Sequence, residues 1–205
     1  MSDEERAVLD LLVRQRGCRR FLSDPVDPGD LHTILRAATH APSAENAQPW
    51  VFVVVDAPEA RQAVADLTRR LWDDIAREPS ERNLPAGLFE AVDGFMASGY
   101  GGAPTLVVVA GDGRSGTSPR LLASSIFPAA QNLLLAAAAL GYGSTMTTLA
   151  AQAPAELAEV VGLPAGIIPF AVLPIGRPAV PLGPPRRRPV AEVAHRNRFG
   201  TPFDG

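Results

Sequence analysis

Along this chain the apolar positions form several helical and strand-like runs, and the longest is SIFPAAQNLLLAAAALG at 125–141. Between Ile126 and Leu140 only Gln131 and Asn132 carry polar side chains. The alanines favour helix, and Leu133, Leu134 and Leu135 supply bulk. Ser125 is placed to cap, and Pro128 then falls in the first turn, where a missing N–H costs little. A helix apolar on every side is buried on every side. Either it is the central core helix of one domain, or its alanine faces admit a second copy; periodicity leaves both open. At 126–140 it is shorter than the roughly 20 apolar residues that span a bilayer.

The remaining elements follow from shorter patterns. Ser2 and Glu5 form a capping-box pair, and Val8, Leu9, Leu11 and Leu12 recur at helical spacing, which predicts a helix to about Arg16. Asp27 and Pro28 start a second helix, with Leu31, Ile34, Leu35 and Ala38 on one face and an end before Pro42. WVFVVV at 50–55 reads as a strand covered on both faces. Pro58 opens a third helix through Leu67, Leu71 and Ile75 that stops near Pro79, and a weaker one covers 84–97 until Gly99, Gly101 and Gly102 break it. TLVVVA at 105–110 is the second strand, followed by a surface loop. Beyond the central helix, 142–146 reads as a short strand, 154–161 as a brief helix ended by Gly162, and 167–175 as a third long strand. Pro169 and Pro174 place that strand at a sheet edge or a bulge. From Arg177 the chain is an arm rich in proline and arginine. The pattern as a whole is one α+β domain over 1–205, helices around a small sheet.

Composition removes some functions and adds none. A chain of 205 residues can bury a full core, and 46% apolar with 20% charged residues is ordinary for a soluble protein. All 19 basic residues are arginine, and the net charge of −3 argues against a nucleic-acid partner. Cys18 is the single cysteine, which excludes an internal disulfide and a multi-cysteine metal site. The opening SDEERAVLD is acidic where a secretory leader is basic, so a cytoplasmic location is expected.

Most catalytic signatures are missing. His32, His40 and His195 show no metal spacing, and Asp73-Asp74 reads as a solvated helix face. The glycines at 99–102 and 141–143 do not sit between a strand and a following helix, so neither is a dinucleotide loop. No G-x-S-x-G elbow occurs. Arginines flank Cys18, yet a buried structural thiol is the plainer expectation. Either a cofactor carries the chemistry or there is none.

Three separated stretches supply the cofactor. RGCRRF at 16–21 followed by Asp24-Pro25-Val26, APSAENAQPW at 41–50, and RRRP at 186–189 leading into HRNRFG at 195–200 occur in that order. Together they resemble the nitroreductase family of FMN-dependent oxidoreductases, whose middle motif is similar to A-P-S-x-x-N-x-Q-P-W. The central helix running into Leu140-Gly141-Tyr142-Gly143 fits as well. The resemblance implies a homodimer with helices around a small mixed sheet, the central helix at the dimer interface, and FMN in clefts shared by both subunits. It implies hydride transfer from NADH or NADPH to a small acceptor (nitroaromatic, quinone, enone or flavin) by a ping-pong mechanism. The other roles such a fold serves are a flavin- or deazaflavin-binding module without turnover and a homologue that degrades its flavin.

Site residues carry over by position. Arg16, Gly17 and Arg19 belong to the cofactor site, with Arg19 a cation near the pyrimidine end of the flavin. Ser43, Asn46 and Gln48 would border the flavin from the partner subunit. Matched through Leu140-Gly141, the backbone facing the reactive flavin nitrogen falls at Thr148 and Leu149. Arg186 and Arg188 alternate on an extended arm and can present guanidinium forks to one phosphate, with Arg187 on the other side. No side chain is required as a nucleophile, and no metal is implied. Two departures stand out: Gln15 replaces an arginine, and Gly17 replaces a serine able to bond the phosphate.

Overall fold

A computed structural model describes residues 1–203. Its sheet contains β1 (Trp50–Val55), β2 (Thr105–Asp112), β3 (Gly143–Ser144) and β4 (Ile167–Gly176) in the spatial order β1-β2-β4-β3. Every ladder among the four is antiparallel. The expected mixed sheet is therefore corrected for the described residues, where the parallel contact is an isolated bridge between Gly17 and Ser144.

Strand alternation divides the core in two. Val107, Val109, Ala171, Leu173 and Ile175 face α2 (Pro28–Ala38) and α6 (Pro119–Ala139). Leu106, Val108 and Val172 face α3 (Pro58–Leu71), α5 (Ala86–Ala97) and α7 (Pro154–Val160). β2 is buried almost end to end, whereas β1 lies at the sheet edge and is mostly half-buried. The cover on both faces expected of β1 is thus only partial, and the strand buried on both faces is β2.

β4 lies inside the sheet and not at an edge, so of the two alternatives its prolines offered, the bulge is the one that holds. Its prolines are accommodated locally. The register shifts between Val109 and Ala110, opposite Pro169 and Ala171, so Pro169 sits at a bulge. The Val172 N–H donates to Thr147 O at 2.9 Å. Pro174 has the same parity, so its missing N–H falls on the side of the two-residue β3, where little pairing is lost.

α6 begins six residues before the expected cap. Ser118 caps it, accepting from the Leu121 N–H, and Pro119 takes the first helical position. Ser125 is instead buried, and its Oγ accepts from the Ala44 N–H at 3.3 Å. Pro128 consequently lies inside the helix and deprives the Ser124 carbonyl of its helical donor. At the other end Gly141 adopts φ +78°, Tyr142 N donates to Ala137 O at 2.8 Å and Gly141 N to Ala138 O at 3.1 Å, a Schellman stop. The 21 residues are long and apolar enough to cross a bilayer, but eight of them are buried, five of these in the core shared with the sheet and α2. Ala137 is among these, with no exposed surface, so this part of the alanine seam faces the chain's own core.

Two segments add little to that core. α1 (Asp3–Arg14) carries the expected capping box and ends two residues short of Arg16. It buries nothing, and Val8, Leu9, Leu12 and Val13 are all at least half exposed. The third helix does not stop near Pro79. It widens into a π-helical turn at Trp72–Ala76 and continues as α4 (Arg77–Asn83), with Pro79 in the first turn of that helix.

Candidate flavin site

The segment 16–21 is held from both sides by backbone. Cys18 N donates to Ser144 O at 2.9 Å, and Phe21 N to Gly101 O at 3.0 Å. The arm closes the other side, with Leu22 N donating to Arg177 O at 2.8 Å and Ala179 N to Arg20 O at 2.9 Å. Gly101 has φ +67°, and a Cβ there would lie 2.2 Å from the Arg19 carbonyl oxygen, so only glycine permits this approach. The glycine cluster rejected as a phosphate loop is thus the platform under Arg19. Cys18 is buried, and its Sγ–H donates to Arg20 O at 3.3 Å. Burial pushes the thiol up, and the adjacent arginine offsets only part of that, as suits a structural cysteine.

Arg19 is half-buried and, among the described residues, its guanidinium has no hydrogen bond or ion pair. Burial, and secondarily the charge of Arg16, push its pKa down. It lines a cleft of about 330 Å³ with Trp72, Phe95, Met96, Thr147, Thr148 and Leu149. Among the described residues, Arg19 is the only charged side chain on that lining. The Leu149 N–H already donates to Thr147 Oγ1 at 3.3 Å. The Thr148 N–H has no acceptor among the described residues, and Thr148 is exposed.

Arg16 lines a neighbouring cleft of about 460 Å³ that also contains Tyr142, Ser144 and Leu182. Its Nη1 donates to Gly183 O at 3.0 Å, which ties the arm to this segment, and arm residues 178–182 form part of the same lining. A Cβ on Gly17 would lie 2.8 Å from Thr145 Oγ1. The Thr145 hydroxyl therefore stands where a side chain at position 17 would project. Sequence reasoning missed this residue, since nothing local in GSTMTT pairs Thr145 with Gly17.

The structure brings Arg16, Gly17, Arg19, Thr148 and Leu149 to one region of the chain and leaves the other candidates apart from it. Ser43, Asn46 and Gln48 form a separate turn, where Ser43 Oγ accepts from Gln48 N at 3.0 Å and Gln48 Nε2 donates to Asn46 Oδ1 at 3.3 Å. Glu45, Asn46 and Gln48 all have positive φ, an unusual cost for non-glycine residues. No residue from 43–48 lines the Arg19 cleft; Gln48 borders a different groove with Trp50, Asp112 and Leu121. Arg186 and Arg188 are exposed on the arm, where Arg187 Nη1 donates to Arg186 O at 2.9 Å.

Comparison with known proteins gives this geometry its class. The model of the nitroreductase family matches residues 12–177, and the chain belongs to that family. It is 46% identical over 54 residues to an NADH dehydrogenase of Thermus thermophilus, a match spanning 26% of each chain. Over 173 residues it is 32% identical to 5,6-dimethylbenzimidazole synthase of Rhodospirillum rubrum, covering 76% of this chain and 79% of that one. Its fold matches that of oxidized iodotyrosine deiodinase bound to FMN and 3-iodo-L-tyrosine with a TM-score of 0.75 and 26% identity, covering 94% and 100% of the two chains.

Proposed function

We propose that the chain is an FMN-dependent oxidoreductase that takes hydride from NADH or NADPH and reduces a small nitroaromatic, quinone, enone or flavin acceptor. It would work as a homodimer with flavin clefts shared by both copies. The observation that carries this reading is Arg19, a half-buried cation without a partner among the described residues, on a cleft otherwise free of charge. Such a cation is destabilised by burial until an anion or an electron-rich edge faces it. The rest of the cleft fits a flavin: an open backbone donor at Thr148, and apolar and aromatic walls.

When bound, FMN supplies the hydride-accepting and hydride-donating chemistry that the side chains lack. Arg19 would stabilise negative charge at the pyrimidine end, and a guanidinium stays protonated at every working pH. Of the two backbone donors implied by the family match, Thr148 is the open one, because Thr147 Oγ1 occupies Leu149. Arg16 and the Thr145 hydroxyl would take the phosphate, joined by Arg186 and Arg188 of the arm. Ser43, Asn46 and Gln48 would reach the flavin of the second copy, consistent with their separation from the Arg19 cleft. The exposed apolar face of α1, together with Val190, Val193 and Phe199 of the arm, supports a second copy covering them.

One alternative is favoured by a specific observation. The 32% match to 5,6-dimethylbenzimidazole synthase suggests a homologue that consumes its flavin, since that product carries the dimethyl-substituted ring also found in FMN. Anaerobic addition of NADH or NADPH to FMN-loaded protein tests both. The oxidoreductase reading predicts bleaching that menadione reverses over repeated cycles. Irreversible loss of the flavin spectrum in air favours the alternative, and a flavin that stays oxidised contradicts both.

A further inference from the structure

In the chain between α3 and β2 lies a cluster of Trp72, Arg77, Phe89 and Asp93, of which the flavin reading uses only the Trp72 ring as cleft wall. The Trp72 indole N–H donates to Asp93 Oδ1 at 2.8 Å. Arg77 forks onto the same carboxylate, Nε to Oδ1 at 2.9 Å and Nη2 to Oδ2 at 3.4 Å. Phe89 closes the group: its ring stacks on Trp72 with centroids 6.4 Å apart, and the Arg77 guanidinium lies 5.5 Å above it. The cluster ties the π-helical turn and α4 to α5. That turn puts both Trp72 and Ala76 on the wall of the Arg19 cleft, while Asp93 itself does not line it.

We propose that Asp93 is a positioning residue for acceptor specificity: it fixes Trp72 as a rigid aromatic wall, so that the cleft takes flat, apolar acceptors that carry no cationic group. This rests on the reading of that cleft as the flavin and acceptor site. Trp72 is buried, and without Asp93 its N–H has no other acceptor among the described residues. The ring then turns or draws in water. Fixed in place, the indole offers a stacking surface beside Phe95, Met96 and Met146. The same lining holds Arg19 and no carboxylate, so a cationic acceptor meets repulsion and no counter-ion. An amino-acid acceptor such as the 3-iodo-L-tyrosine bound in the deiodinase structure would bring an ammonium that this lining cannot pair.

The chain has two tryptophans, so Trp50→Phe leaves Trp72 as the sole indole reporter. In that background Asp93→Ala should red-shift the emission and raise acrylamide quenching, with Asp93→Asn intermediate because it keeps an acceptor oxygen. Flavin content should hold, and the KM for menadione should rise on the order of tenfold in Asp93→Ala while the NADH half-reaction changes little. Trp72→Phe should raise the same KM, and adding Asp93→Ala to it should raise it no further. Wild type should use menadione and 4-nitrobenzoate far better than N-methyl-4-nitropyridinium. Unchanged emission in Asp93→Ala overturns the proposal, as do additive effects of the two substitutions or efficient turnover of the pyridinium. Emission is read on flavin-free protein, so an unfixed Trp72 is distinguished from failure of wild type to bind flavin, which instead overturns the flavin reading and the specificity built on it.

Discussion

Gly101 and Gly17 are both glycines against site residues, yet their backbones impose different demands. Gly101 has φ +67° and meets the Arg19 carbonyl, which cannot move without dragging 16–21 with it. Gly17 meets only the hydroxyl tip of Thr145, which can rotate. Gly101→Ala should therefore cost about 2–5 kcal/mol of unfolding free energy, the sum of left-handed strain and overpacking. Gly17→Ala should cost no more than about 1 kcal/mol, one rotamer adjustment. Urea denaturation of the two variants checks the contrast, and equal losses would contradict it. Asp93 supplies a pH signature at the same scale. The fork from Arg77, then the Trp72 N–H, holds its carboxyl below the ordinary value of 3.8. A group depressed in the folded state contributes its full stabilisation above the unfolded value and loses it as pH falls through the folded one. Emission of Trp72 in the Trp50→Phe variant should thus stay flat from pH 7 to about pH 4 and change only below that. A transition between about pH 5 and 7 would mean that Asp93 does not hold the ring.

Elements were legible in the sequence where a local device writes the boundary. Asp27-Pro28, the Ser2–Glu5 capping box and Gly141 mark ends that the structure reproduces. The start of α6 is hidden because Ser118-Pro119 follows a loop of glycine, serine and threonine, and a second serine before Pro128 mimics a cap. The interior position of β4 is hidden for a different reason. Its prolines read as signals of an edge or a bulge, and choosing between them needs the pairing itself: one sits at a bulge and the other faces the short β3. Of the candidate site, the Arg16–Arg19 stretch and Thr148–Leu149 converge in space, whereas Thr145 depends on a contact between segments far apart in sequence. The arm carries a separate claim. Charged hydrogen bonds contribute about 1.5–3 kcal/mol each, so Arg186→Ala with Arg188→Ala should weaken FMN by about 10²- to 10⁴-fold. Arg187→Ala should cost less than about tenfold. The double variant should also lose its preference for FMN over riboflavin, which lacks only the phosphate. Preserved discrimination in a fluorescence titration would leave the phosphate to Arg16 and Thr145.

At the scale of the molecule, the single chain leaves apolar surface uncovered. α1 presents Val8, Leu9, Leu12 and Val13 to solvent, and an apolar groove of about 550 Å³ lined by Leu11, Ala37, Leu135 and Ala136 runs beside it. The 43–48 turn holds its polar groups in strained backbone on a part of the chain away from the Arg19 cleft. A flavin site drawing Arg19 from one copy and Asn46 from the other, as proposed above, would account for both features. A mixed dimer tests it. Arg19→Gln and Asn46→Ala, each as a homodimer, should lose most NADH–menadione activity. Co-expressed with different tags and purified as the heterodimer, the two chains should form one doubly impaired site and one intact site. The account predicts recovery of about half the wild-type activity and one functional flavin per dimer. Activity no higher than that of the better parent would mean that each site is built within a single chain.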